Sequence, residues 1–144
     1  MKNLNHIALL IAMSQIGIKE IAGPGHNPEI LKYFEECGFL SITDDETAWC
    51  SAFMCWCNKK AGMPFPKNGL AAQSWLGWGT EVFEPEIGDK VILKRPPHVW
   101  TGHVGILLRR DGSNIWMVSG NANDQIGVGP YHGSQLLGYR RWEP

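Results

Sequence analysis

Apolar residues at the start of the chain recur at helical spacing. Leu4, Ile7, Ala8, Ile11 and then Gln15 share one stripe, with Gly17 near the stop. A second helix is expected from about Pro28 to Cys37, after the turn GPGHN, and a third beginning near Thr47, with Gly62 and Pro64 as its stop. From Glu84 onward the pattern changes to short β runs separated by turns: GDKVIL, HVGILLRR, NIWMVSG and finally LLGYRRW, with PHVWTG as a loop between the first two. Helices followed by a meander of strands predict an α+β fold with helices packed on an antiparallel sheet. No composition boundary, repeat or low-complexity tract divides the chain, so residues 1–144 read as a single domain.

A chain of 144 residues can bury roughly 70% of its unfolded surface, so neither a metal nor a disulfide is required for folding. The 44% apolar and 19% charged composition is that of a soluble globular protein. A net charge of -1 leaves no surplus of Lys and Arg for phosphates, which excludes nucleic acid as an expected partner. The apolar stretch after Lys2 is short, is interrupted by Ser14 and Gln15, and lacks a small-x-small cleavage site. It reads as a mature amphipathic helix rather than an export signal, and nothing approaches the ~20 apolar residues of a membrane span.

The segment DDETAWCSAFMCWC holds Cys50, Cys55 and Cys57. Their C-x4-C-x-C spacing fits none of the paired arrangements that wrap a zinc ion. On a helix Cys50 and Cys55 lie on different faces, and Cys55 and Cys57 are too close in sequence to face each other. Only Cys37 is left as a partner for a disulfide. Core packing and nucleophilic chemistry remain, and position separates them. Asp44, Asp45 and Thr47 supply caps and negative charge, and Cys50 falls in the first turn, where free N–H groups and the helix dipole favour a thiolate. Cys55 and Cys57, among Phe53, Met54 and Trp56, read as small buried hydrophobes.

A nucleophilic thiol needs a base, and the candidates are His6, His26, His98, His103 and His132. His103 opens the run HVGILL, where a strand would present its imidazole rigidly. If DGS (residues 111–113) is a three-residue turn, Arg110 pairs with Asn114 and His103 stands opposite Asn121, whose amide would fix the imidazole tautomer. A one-residue slip would favour Ser119 or Asn123 as the orienting group.

The ordered set AWCSAF, GDKVIL, GHVGIL and VSGN resembles the papain-like NlpC and CHAP cell-wall hydrolases, particularly their small phage and prophage branch. The opening IGIKEIAGPGHNPEILKYF is similar to the N-terminal region of that branch, so the resemblance covers nearly the whole chain. Carried over by position, it implies Cys50 as nucleophile, His103 as general base and Asn121 as third member. The branch often has Pro where this chain has Ala48, and its GGN segment reads Ser119-Gly120-Asn121 here. The implied architecture is an N-terminal helical region over residues 1–45 and a papain-like core over 46–144.

The same resemblance implies amide hydrolysis in peptidoglycan through a Cys50 thioester, with no metal or organic cofactor. An oxyanion hole would come partly from the Cys50 N–H. Glu20 is a candidate to line the cleft or else an exposed helix-end carboxylate. Trp49 and Trp100 are candidates for its walls or for core. The expected partner is the bacterial cell wall, and the expected state is a monomer. The role implied is a phage endolysin, made in the host cytoplasm and acting at the wall after release. A secreted antibacterial effector and a silent wall-binding or tail module are the alternatives.

Overall fold

A computed structural model describes residues 3–21, 27–39, 49–96, 98–122 and 124–143, apart from the side chain of Asn121. Three helices precede a sheet: α1 (Leu4–Met13), α2 (Pro28–Glu36) and α3 (Cys50–Ala61), then β1 (Thr80–Val82), β2 (Lys90–Lys94), β3 (Gly102–Asp111), β4 (Asn114–Ala122), β5 (Gln125–His132) and β6 (Leu136–Arg141). The six strands are antiparallel in the order β1-β6-β2-β3-β4-β5. This is the α+β architecture expected of helices followed by a meander.

Local chemistry accounts for the helix ends. The Asn3 side chain accepts hydrogen bonds from the N–H groups of Asn5 (3.0 Å) and His6 (3.3 Å), and Asn27 does the same for Glu29 (2.9 Å) with Pro28 behind it. Gly62 ends α3 in the left-handed conformation at φ 86° that a side chain would resist. α1 is turned slightly from the expected stripe: Asn5, Ala8, Leu9 and Ala12 are buried, while Leu4, Ile7 and Ile11 are only partly so.

α3 is buried almost all round, from Cys50 to Asn58 and again at Ala61, because α1 and α2 pack on one side of it and β3 and β4 on the other. Its Ala52, Phe53 and Cys57 join Val104, Ile106 and Val118 in the main core. Burying a side chain the size of Phe53 stabilises by about 2–3 kcal/mol. The other face of the sheet carries a smaller cluster of Val91, Leu93, Leu107, Ile115, Met117 and Tyr139.

The GD pair before β2 serves the fold. Gly88, at φ 99°, donates its N–H to Leu107 O at 2.9 Å, and a Cβ there would come within 2.8 Å of the His6 ring. Buried Asp89 accepts two bonds from Arg141, at 2.7 and 2.9 Å, which ties β6 to the start of β2.

The β3–β4 hairpin departs from the expected turn. Asp111 pairs with Asn114 and Arg110 with Ile115, which leaves a two-residue Gly112-Ser113 turn with Gly112 at φ 60°. A bulge between Leu107 and Arg109 then shifts the register by one, giving Leu107↔Met117 and Ile106↔Val118. The two one-residue offsets cancel, so the inner pairs are those that a three-residue turn would have made.

Candidate active site

Cys50 is the first residue of α3 and is buried. The backbone N–H groups of Val104, the residue after His103, of Ser51 and of Cys50 itself favour negative charge on its sulfur. Burial outweighs them and raises the thiol above its ordinary range. A helix N-terminus contributes roughly 0.3–1 kcal/mol to an anion, less than the several kcal/mol that removing a charge from water costs. Burial thus works against the resting thiolate expected from the helix start, and a proton held on Cys50 has to move when substrate is attacked. The caps expected from Asp44, Asp45 and Thr47 lie outside the described residues, and Trp49 at the N-cap offers no side-chain bond.

His103 lies near the start of β3, buried, with its Nε2 at 2.8 Å from Ser119 Oγ and 3.2 Å from the Tyr131 hydroxyl. The Tyr131 ring stacks on the imidazole at 5.1 Å. His103 Nδ1 is buried without a hydrogen-bond partner in the structure. Burial, and then the charge of Arg95, push the imidazole down to about 3, so it is neutral at ordinary pH. A tautomer with its proton on Nε2, donating to Ser119, leaves a bare lone pair on Nδ1.

Ser119 owes its place to Gly105. A Cβ at Gly105 would come within 2.8 Å of Ser119 Cβ and 2.7 Å of Val118 O, and would collide with Met117, so only glycine lets β4 approach this closely. Asn121 is in β4 two residues further on, and its side chain is outside the described residues.

Cys50 opens on a cleft of about 370 Å³ that it shares with Ala72, Arg95, Pro96, Trp100 and Thr101. Trp100 is exposed and stacks face to face on His98, with ring centroids 4.3 Å apart. The segment carrying them is braced: Gln73 Nε2 donates to Val99 O and Thr101 O, each at 2.8 Å, and Thr101 Oγ1 bonds both Arg95 O and His98 O. Trp49, by contrast, has no exposed surface. It packs against Tyr33, lies under Gly120 and donates its Nε1 to Glu20 Oε1. Trp49 is thus core rather than a wall of the cleft, and Glu20 is half-buried as its partner. Glu20 is placed by backbone pairing: its N–H donates to Asp124 O at 2.8 Å, and Lys19 bridges Gln125.

All four cysteines are free thiols, including Cys37, which leaves no disulfide. Cys55 and Cys57 are buried, with their thiols pushed up by burial. Among the described residues no group of three His, Cys, Asp or Glu side chains is placed to hold a metal ion, and no helix is long and apolar enough to cross a membrane. Sequence reasoning missed Tyr131 and Arg95. The first lies on a strand whose glycines hid it, and the second had no motif to mark it.

The family model described as the CHAP domain matches residues 42–121, which include Cys50, His103 and Ser119. No curated protein matches the chain in sequence. Several solved structures share the fold. A lipoprotein-like protein of the NLP/P60 family from Staphylococcus aureus is 21% identical, with a TM-score of 0.59 over 98% of this chain and 42% of its own. NlpC1 from Trichomonas vaginalis is 16% identical, with a TM-score of 0.60 over 99% of this chain and 45% of its own. An NlpC/P60 family protein from Bacillus cereus is 15% identical, with a TM-score of 0.59 over 97% of this chain and 40% of its own. The chain therefore spans less than half the length of each.

Proposed function

Because this chain belongs to the CHAP domain family, we propose that it is a cysteine hydrolase that cleaves an amide bond in peptidoglycan, with Cys50 as nucleophile and His103 as base. The observation that carries the reading is the placement of Cys50 at the start of α3, open to a cleft, on a helix packed against β3, whose His103 has an Nδ1 with no hydrogen-bond partner among the described residues.

In the proposed mechanism the Cys50 thiol gives its proton to His103 Nδ1 as sulfur attacks the substrate carbonyl carbon. His103 then delivers that proton to the leaving amine, forming a thioester, and water activated by the same imidazole releases the acid and restores the thiol. Ser119 holds the imidazole through Nε2, the place given to Asn121 on sequence grounds. N–H groups at the start of α3 stabilise the oxyanion.

Digestion of purified sacculi by the protein, with mass spectrometry of the fragments, tests this reading. New amine and carboxyl ends made by the wild type and absent with Cys50→Ala are the expected result. Equal products from both would refute it. The same fragments separate an amidase, which frees the lactyl group, from an endopeptidase, which cuts within the stem peptide. The similarity of AWCSAF, GHVGIL and VSGN to the small phage branch supports the narrower role of an endolysin acting at the wall as a monomer. Neighbouring holin genes would support it, and a neighbouring immunity gene would favour the effector.

A further inference from the structure

We propose that Arg95 is the anchor for a carboxylate of the substrate, so that the protein prefers peptide substrates carrying free carboxylates near the scissile amide. This rests on Cys50 and His103 being the reacting pair. Arg95 follows β2 and lines three pockets, two of which bear on the reacting pair. One of these, of about 370 Å³, contains Cys50 and Trp100, and the other, of about 320 Å³, contains Gln125, Gly129 and the Tyr131 that touches His103. The first holds the proposed nucleophile and the second holds the tyrosine whose hydroxyl lies 3.2 Å from His103 Nε2, so Arg95 borders the surroundings of both reacting groups.

The backbone of Arg95 is held while its side chain is left available. Its N–H donates to Thr101 O at 3.2 Å and its carbonyl accepts from Thr101 Oγ1. Arg95 is half-buried, and its guanidinium makes no hydrogen bond or ion pair with any described residue. The chain's other well-placed arginine, Arg141, is by contrast committed to Asp89. Among the described residues, no Asp or Glu lines either pocket, nor the third pocket that Arg95 shares with Lys94 and His98.

A planar fork of donors on a fixed backbone, in a cleft where no described carboxylate pairs with it, matches a carboxylate in geometry and sign. A substrate held there by a carboxylate would present an adjacent amide to Cys50 with one rotational freedom already fixed.

The test is calorimetric binding to the full chain carrying Cys50→Ala, so that no ligand is consumed. The probe is the synthetic stem peptide L-Ala-γ-D-Glu-L-Lys, with its carboxylates either free or all converted to carboxamides. The free acid is expected to bind about tenfold tighter than the amide, as a charge-assisted hydrogen-bonded pair supplies. Adding Arg95→Gln should abolish that preference, and Arg95→Lys should keep part of it, as a point charge without the fork. Equal binding of acid and amide to the Cys50→Ala protein, undetectable binding of the acid, or a preference that survives Arg95→Gln would overturn the proposal. The sacculus digest fails separately: a Cys50→Ala protein that still cuts sacculi removes the assignment of the nucleophile, whatever Arg95 binds.

Discussion

Ser119 Oγ lies 2.8 Å from Nε2 of His103, while Nδ1 of the same ring is buried with no hydrogen-bond partner in the structure. A hydroxyl is a modest orienting group, with one donor and two acceptor sites, and the Tyr131 hydroxyl at 3.2 Å competes for the same nitrogen. The ring is therefore held by two hydroxyls and by stacking, and among the described residues no carboxylate bonds it to stabilise an imidazolium.

Ser119→Ala should accordingly lower kcat by about fivefold, the worth of one neutral hydrogen bond of about 1 kcal/mol, with KM little changed. Steady-state rates on a soluble peptidoglycan fragment would show it. A Ser119→Ala enzyme as fast as wild type would mean that another group, such as Asn121, orients the imidazole.

Lys90 gives a prediction about stability. Its ammonium is fully buried with no hydrogen-bond partner, facing the rings of Trp75 at 5.5 Å and Trp78 at 5.2 Å. Burial pushes the amine down to about 8. Below pH 8 it is charged in both folded and unfolded chains, and the cost of burying that charge is fully present. Between pH 8 and about 10.5 the folded chain has lost the proton that the unfolded chain retains, so stability rises with pH. Lys90→Met should stabilise the protein at pH 7 by about 1–3 kcal/mol, cation–π attraction offsetting part of the gain. Urea unfolding at pH 7 and pH 10 should show that advantage shrinking at the higher pH. An advantage that grew with pH would contradict the account.

Cys55 and Cys57 should matter to folding and little to turnover. Each is fully buried in α3, and a Cβ at Gly69 would come within 2.6 Å of the Cys55 sulfur, so the packing there is tight. Cys55→Ala and Cys57→Ala should each cost about 1 kcal/mol in urea unfolding, the order expected for a small cavity, and leave the rate of sacculus digestion within about twofold. A folded variant without activity would return these thiols to the chemistry.

The strands β2, β3, β4 and β6 were legible because each is a short apolar run set off by turn residues, and α1 because Leu4, Ile7, Ala8 and Ile11 recur at helical spacing. β5 was hidden: in QIGVGPYH, Gly127, Gly129 and Pro130 remove the β-branched signal, and its pairing is fixed by β4 rather than by its own propensity. β1 is three residues long and pairs only with β6. Tyr131 lies on the unread strand, so the group stacked on His103 could not be found.

Cys50 at a helix start was legible from the flanking pattern, whereas its resting protonation was not, because burial is a tertiary quantity. Trp49 and Trp100 looked equivalent in sequence. Packing separates them, with Trp49 beneath Gly120 and Trp100 on the rim with His98.

The central claim is that a covalent intermediate forms on Cys50. Acid-quenching the wild-type protein during digestion of peptidoglycan fragments, followed by peptide mapping, reads it directly. The account predicts a thioester adduct on the peptide containing Cys50, with the mass of the acyl fragment, and none in His103→Ala. Sustained turnover with an adduct on Cys37, Cys55 or Cys57 instead, or undiminished turnover in Cys50→Ala, would contradict it.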